Sequence, residues 1–541
     1  MYQGSPEGVT AFGRMWRQSG SETRVWDLII VGILAAFCYK LSDKIFPLAE
    51  GRDVGTYYLY WRDFFSASPE YPMVMLFRTP VTPFFYGINF DLFGTQGVSL
   101  AVGGCYILTS LLLFYVTSQY SRCLGYLAVA MLFADLRFFE RYNAIGSETM
   151  QTVLLVAWSC AAFISMTKGG VVSGLFLGGV TSLLVLNRPA NQLLLIGCLL
   201  PLIGYWKVFS DKEKKGERRQ YLYTAVTAFI LAATVWISYA TMNLVRYDQF
   251  CVAKLGGVHV PFYRLFLQQR LVVPENGPKS RELAEIVRTN IITDETFKKY
   301  GIDEKTFFEF ATGRMFDHLI RVLMHIRGWD GDFNLLRDVA WETVRAHPKE
   351  AWLGWVDAII GMYWLPEDTR PFNLSCYGAG FLKYNEEVNR RHRLYQSQGL
   401  QVPGEGDLIC ATGWWLAAIP QDANRSVQGD TDPRPWRYTS RKQIPEQWLK
   451  WVKWSCYLSP SWIYLGIGVM GVLLAAGSNA LDPRIPLIVC VGMSVLIAQW
   501  FGVLLREFRY PFNPLLIELC CYGIFSSVCF FGKRLRLRGS F

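Results

Sequence analysis

Long apolar runs broken by short charged segments dominate this chain, and their lengths predict helices that cross a bilayer rather than strands or a water-soluble core. Uncharged or nearly uncharged stretches occupy residues 26–46, 97–118, 149–167, 169–186, 189–206, 221–244, 457–477, 486–505 and 510–532. A further run at 122–138 is short and ends on Asp135, and counting it as the third gives ten spans. Two polar segments are large: a loop at 47–96 after the first span, and an insert at 247–456 after the seventh.

Within the insert the pattern changes to helical apolar spacing in "SRELAEIVRTN", "DEKTFFEFATGRMFDHLIRVLMHI" and "NLLRDVAWETVRAHPKEAWLGWVDAIIGMYWL". From Pro366 onward it gives way to the turn-rich "QVPGEGD" and "QDANRSVQGDTDPRP". A mainly helical domain with irregular loops is expected there.

Composition strengthens the membrane reading. The 541 residues are 52% hydrophobic, 15% aromatic and only 18% charged. The net charge of +10 does not point to nucleic acid, because the basic residues fall mostly at the ends of the apolar runs. Arg14, Arg17, Arg24, the cluster Lys207 to Arg219, and Lys533, Arg534, Arg536 and Arg538 would share one side. The positive-inside rule makes that side cytoplasmic. The expected order is then a cytoplasmic tail at 1–25, spans one to seven within 26–246, the extracytoplasmic insert, spans eight to ten at 457–532 and a basic cytoplasmic tail at 533–541. No signal-peptide pattern precedes the first span, which reads as a signal anchor.

Most of the 13 cysteines lie inside the spans, where a thiol is a small apolar group, and none shows metal-ligand spacing. Cys376 and Cys410 lie in the insert, where spacing alone establishes no disulfide. All 5 histidines fall in the insert without ligand partners at a recognisable spacing. Gly174 and Gly178 have the small-xxx-small spacing that lets helices pack closely in lipid.

Under this topology the polar groups outside the insert gather at the external face. "GRDVGTYYLYWRDFF" (51–65) follows span one; "FADLRFFERYNAIGSE" (133–148) joins spans three and four; "LNRP" joins five and six; "REFRYPFNP" joins nine and ten. Asp53, Asp135, Arg137, Arg141, Glu148, Arg188, Arg506 and Arg509 could thus surround one site. Each charge taken singly reads as an interfacial residue, snorkelling or salt-bridged. Together they suit an anionic lipid headgroup, because a guanidinium grips phosphate oxygens through parallel hydrogen bonds. The aromatic residues Tyr57, Tyr58, Tyr60, Trp61, Phe64 and Phe65 predict a short helix along the interface.

These segments resemble the GT-C glycosyltransferases that use polyprenyl-phosphate sugars, in the branch of protein mannosyltransferases and lipid A aminoarabinose transferase. The resemblance rests on Asp53 with the aromatic residues after it, and on Arg78-Thr79-Pro80 with Pro83, where Val81 and Thr82 replace the usual Gly-Tyr. It continues in Ser147-Glu148, in Leu186-x-Arg188-Pro189, in "RAHPKEAWLGWV", and in Arg509-Tyr510 before the last span. The first loop departs from many relatives in lacking adjacent acidic residues, since the nearest to Asp53 is Glu50.

The resemblance implies an all-α polytopic membrane protein: a GT-C transmembrane bundle with a mainly helical extracytoplasmic insert, placed in the plasma (inner) membrane. It also implies a polyprenyl-phosphate-linked donor and an extracytoplasmic acceptor hydroxyl on protein, glycolipid or polysaccharide. Asp53 would be the general base, with Arg78, Arg141, Glu148, Arg188, Arg506 and Arg509 binding substrate. No organic cofactor is implied. Asp53 with Glu50 or Glu148 could hold a divalent cation, although the missing acidic pair favours a metal-free mechanism. A transporter or flippase for a lipid-linked sugar is the alternative, but the halves do not repeat and the ionisable residues collect at one interface.

Overall fold

The computed structural model describes residues 25–50, 54–69, 72–203, 215–253, 259–293, 303–309, 332–364, 461–477, 482–500 and 510–538, with residues 316, 319, 320, 322, 323 and 326 between them. Helix α1 (Val25–Ile45) leads through the two-residue strand β1 (Ala49–Glu50) to α2 (Val54–Asp63) and α3 (Pro72–Phe77). There follow α4 (Val81–Ser118), α5 (Arg122–Ala134), α6 (Leu136–Tyr142), strand β2 (Ala144–Ile145), α7 (Ser147–Lys168) and α8 (Val171–Val185). A 3-10 helix (Pro189–Leu199) precedes α9 (Lys215–Tyr247). Past the insert come α15 (Ser461–Gly477), α16 (Arg484–Trp500) and α17 (Asn513–Arg538).

Among the described residues, five helices are long and apolar enough to cross a membrane: Val25–Ile45, Val81–Ser118, Ser147–Lys168, Arg219–Tyr247 and Tyr510–Phe531. Five shorter apolar helices of 10–17 residues accompany them. The protein is therefore an all-α membrane protein whose exposed surface carries large apolar side chains such as Ile33, Phe37, Leu100, Ile230 and Leu473.

Glycines set the closest helix contacts. A Cβ on Gly174 would stand 2.6 Å from Thr224 O, and one on Gly178 2.6 Å from Ala228 O, so α8 and α9 touch backbone to backbone. Gly471 meets Gly523 in the same way between α15 and α17. Without a hydrophobic driving force between helices in lipid, such close approach supplies the dispersion contact that holds the bundle.

The structure departs from the sequence pattern at several places. Helix α4 starts at Val81, well inside the expected loop, and bends at Gly94 (φ 63°, ψ −156°), a conformation almost reserved for glycine. The third apolar run stops at Ala134, because Asp135 leaves helical geometry (φ −84°, ψ 78°) and its carboxylate caps the N–H of Phe138 at 2.9 Å, opening α6. Its second oxygen accepts from Asn513 Nδ2 at 2.8 Å, tying this junction to the last helix. Beyond Pro189 the chain takes 3-10 rather than α geometry. The basic segment expected as a tail continues α17 as far as Arg538.

Polar ties close both ends of the bundle. At one end buried Asp27 accepts from Arg122 Nε (2.9 Å) and Tyr126 OH (2.8 Å), while Arg484 pairs with Asp482 and reaches Thr167 Oγ1 at 2.9 Å. At the other end β1 and β2 pair in parallel, Ala49 with Ala144 and Glu50 with Ile145.

The described insert is helical. It comprises α10 (His259–Tyr263), a π-helical segment (Arg264–Gln269), α11 (Pro278–Ile286), a second π-helical segment (Val287–Ile291), α12 (Glu304–Glu309), α13 (Asp332–Ala346) and α14 (Pro348–Trp364). Its own core includes Phe262, Leu265, Phe266, Leu283, Phe307, Leu336 and Val339. The apolar run at 334–365 divides at Pro348, which cannot donate into the preceding turn. His347, at that break, meets Asn276 Oδ1 through Nε2 at 3.1 Å. His318, His325, His392, Cys376, Cys410 and the turn-rich stretch from Pro366 lie outside the described residues.

Candidate functional site

The end of the bundle that carries the two short strands also carries the site. Backbone pairing of Glu50 with Ile145 brings the chain leading to residue 53 beside the chain leading to Glu148. Gly146 is extended (φ −167°) and bridges β2 to α7, whose first turn holds Ser147 and Glu148. A carboxylate there is favoured by the exposed N–H groups of the helix start. Tyr86 OH, fully buried, locks this junction by donating to Gly146 O at 3.0 Å and accepting from Gly146 N at 3.2 Å.

Arg188 enters from the opposite side. It precedes Pro189 and is held extended (φ −146°, ψ 134°), as the residue before proline prefers. Its guanidinium forms an ion pair with Glu148, and Nε donates to Ser147 Oγ at 2.8 Å. Both charged side chains are largely buried, so the pair is screened less than a surface bridge.

Beneath this pair lies a closed amide network. Gln151 Nε2 donates to Asn191 Oδ1 (2.9 Å), while Gln151 Oε1 accepts from Asn191 (2.7 Å) and from Asn187 (3.0 Å). Thr82 Oγ1 donates to Asn187 Oδ1 at 2.7 Å, and Asn191 Nδ2 also reaches Leu184 O at 2.7 Å. All four side chains are buried, and together they clamp the turn carrying Arg188 onto α4 and α7. The sequence pattern assigns no role to Tyr86, Gln151, Asn187 or Asn191, and marks Thr82 only as a departure from the family turn; the amide-rich "NRPANQ" beside an arginine in an apolar context is the available signal.

Arg78 occupies a second position. Its Nε donates to Thr56 Oγ1 at 2.8 Å, and its guanidinium lies 4.9 Å from the Tyr57 ring and 4.1 Å from the Phe77 ring. Phe77 also packs against the insert core, so Arg78 stands at the seam between bundle and insert. The aromatic stretch before it forms α2 but is anchored in protein more than in lipid. Tyr60 OH meets Tyr239 OH at 2.6 Å, Trp61 Nε1 donates to Asp91 at 2.8 Å, and Phe65, though 79% exposed, packs its ring 5.0 Å from that of Phe64.

Glu148 and Arg188 are the sequence candidates that the structure brings into direct contact. Arg141 lies half-buried on α6, and Arg137 lies on the same short helix. Asp135 is committed to capping α6 and to Asn513, which makes it structural. Asp53, Arg506 and Arg509 lie outside the described residues; Val54, next to Asp53, and Tyr510, next to Arg509, are described. Leu48, Val54, Tyr57, Tyr86, Ile145 and Tyr510 all belong to one apolar cluster. Glu518, on α17, is fully buried and accepts from Ser159 Oγ at 2.6 Å, a helix-to-helix tie.

Chemically, the arrangement offers a guanidinium fixed by a carboxylate and a hydroxyl in a water-poor setting. Among the described residues no group of three or more His, Cys, Asp and Glu side chains could hold a metal ion. Comparisons of the chain with protein-family models, with curated proteins and with solved structures find no match.

Proposed function

We propose that the protein is an integral membrane glycosyltransferase that moves a sugar from a polyprenyl-phosphate donor to an extracytoplasmic hydroxyl acceptor. The observation that carries this reading is the gathering of chain segments at one end of the bundle. Val54 next to Asp53, Ile145 three residues before Glu148, and Tyr510 next to Arg509 belong to one apolar cluster, and Arg188 is paired with Glu148. The distribution of lysines and arginines supports placing this end outside the cytoplasm, in the plasma (inner) membrane.

On this reading Asp53 accepts the acceptor hydroxyl proton as the oxygen attacks the anomeric carbon. The bond from that carbon to the phosphate oxygen breaks with inversion, and polyprenyl phosphate leaves carrying the electron pair. Arg188 stabilises the charge growing on the phosphate, because a preorganised cation acts most strongly where water is excluded. Glu148 holds Arg188 in place, and Arg78, Arg141, Arg506 and Arg509 complete the binding of donor and acceptor.

The test is sugar transfer by purified full-length protein in nanodiscs, supplied with defined polyprenyl-phosphate sugars and candidate acceptors, with the product's anomeric configuration determined. Transfer with inversion is expected. Retention, or transbilayer movement of intact donor without transfer, would overturn the reading.

A further inference from the structure

Among the described residues, the insert contains a buried charge without a counter-charge. Arg264 is 5% exposed, and its Nε and Nη1 are buried without a hydrogen-bond partner. Other arginines of the insert have partners: Arg288 pairs with Glu285 and Glu304, Arg337 with Asp338, and Arg270 donates through Nη1 to Glu309 O at 2.8 Å. Burial alone pushes the Arg264 guanidinium down to about 10, and no carboxylate opposes that shift. A desolvated cation without a counter-charge is among the costlier arrangements a core can hold. Its retention is explained by an anion that binds there.

The backbone at this arginine is also unusual. Arg264 opens a π-helical segment, Arg264–Gln269, and a second one, Val287–Ile291, packs in the same core. Such segments are rare and concentrate at functional sites. The first segment is held at its far end by Gln269 Nε2, which donates to Ala351 O at 3.1 Å on α14.

The setting also limits the anion. The insert core takes in Phe77, which neighbours Arg78 at the seam with the bundle, and α14 packs against the apolar helix α15. The anion at hand beside a bilayer is a phosphate group, which guanidinium hydrogen bonds suit.

We propose that Arg264 is the core of a phosphate-binding site in the insert, separate from the Arg188 site. This proposal does not depend on the glycosyltransferase reading.

The experiment is hydrogen exchange of residues 259–293 together with thermal unfolding, on the full-length protein in phosphatidylcholine nanodiscs. Inorganic phosphate is titrated against chloride at equal ionic strength, and a parallel series adds phosphatidylglycerol to the disc. Wild type should gain saturable protection in 259–269 and a midpoint raised by a few degrees with at least one probe. Response to inorganic phosphate would identify a free phosphate site, and response to phosphatidylglycerol alone a lipid headgroup site.

Arg264→Met should lose the response while unfolding no earlier than wild type without phosphate, since it removes an unanswered charge. Arg264→Lys, which keeps the charge but not the planar donor fork, should bind at least tenfold more weakly. Equal protection of wild type and Arg264→Met, or no protection of wild type by either probe, would overturn the proposal.

Discussion

Replacing Gln151 by leucine tests whether the amide network holds the Arg188 turn. Leucine is close to glutamine in volume, so the change removes hydrogen bonds without opening a large cavity. Three bonds are lost: from Gln151 Nε2 to Asn191 Oδ1, from Asn187 Nδ2 and from Asn191 Nδ2 to Gln151 Oε1. Asn191 Nδ2 keeps Leu184 O, so Asn191 Oδ1 and Asn187 Nδ2 are the groups left buried without these partners. At about 1–3 kcal/mol for each unsatisfied group, the loss is about 2–6 kcal/mol. Side-chain hydrogen bonds inside membrane bundles average about 0.6 kcal/mol each, which places the expected value near the low end, about 2–3 kcal/mol.

Reversible unfolding in mixed detergent micelles measures that loss. Sugar transfer should fall together with it, in kcat more than in the acceptor KM, because the positioning of Arg188 is disturbed while the acceptor surface is not. A Gln151→Leu protein within about 0.5 kcal/mol of wild type, the range of an ordinary surface change, would refute the clamp.

Other substitutions probe separate parts of the account. Gly178→Leu drives a side chain into Ala228 backbone and should cost about 1–3 kcal/mol in the same unfolding assay by spreading α8 from α9. Gly94→Ala meets no atom within 4 Å, so its expected cost of about 1–3 kcal/mol is purely the backbone strain at the bend, measured against Gly104→Ala, also without contacts. Asp135→Ala removes the α6 cap and the link to Asn513 and should cost about 1–3 kcal/mol, with faster hydrogen exchange across 136–142. Arg188→Lys keeps the charge but loses the planar fork, and transfer should drop roughly 100-fold with stability little changed.

The apolar pattern made the helices legible because an uncharged run of spanning length has few alternatives in this chain. It failed where local chemistry outranked hydropathy. Asp135 is short, polar and buried, and it ends one helix while starting the next, which a hydropathy window averages away. Val81 to Phe93 reads as loop because Pro80, Pro83, Asn89 and Asp91 interrupt it, yet Pro83 stands in the first turn, where proline costs no hydrogen bond.

The site was legible as charges and illegible as a network. Glu148 and Arg188 stand out because ionised groups are rare beside apolar spans. Gln151, Asn187 and Asn191 are neutral amides whose importance comes from three elements meeting, information that no local window contains. Arg264 was hidden for a related reason. Nothing in "PFYRLFLQQR" marks Arg264 as an arginine that the fold buries.

The central claim is that Asp53 takes the acceptor proton in a transfer from a polyprenyl-phosphate sugar. The most direct measurement is radiolabelled sugar transfer by wild type and Asp53→Asn, each purified at full length and shown to unfold at the same midpoint. The account predicts transfer by wild type and a loss of at least 100-fold in kcat for Asp53→Asn with donor binding retained, in keeping with removal of a general base. Equal transfer by the two proteins would contradict it.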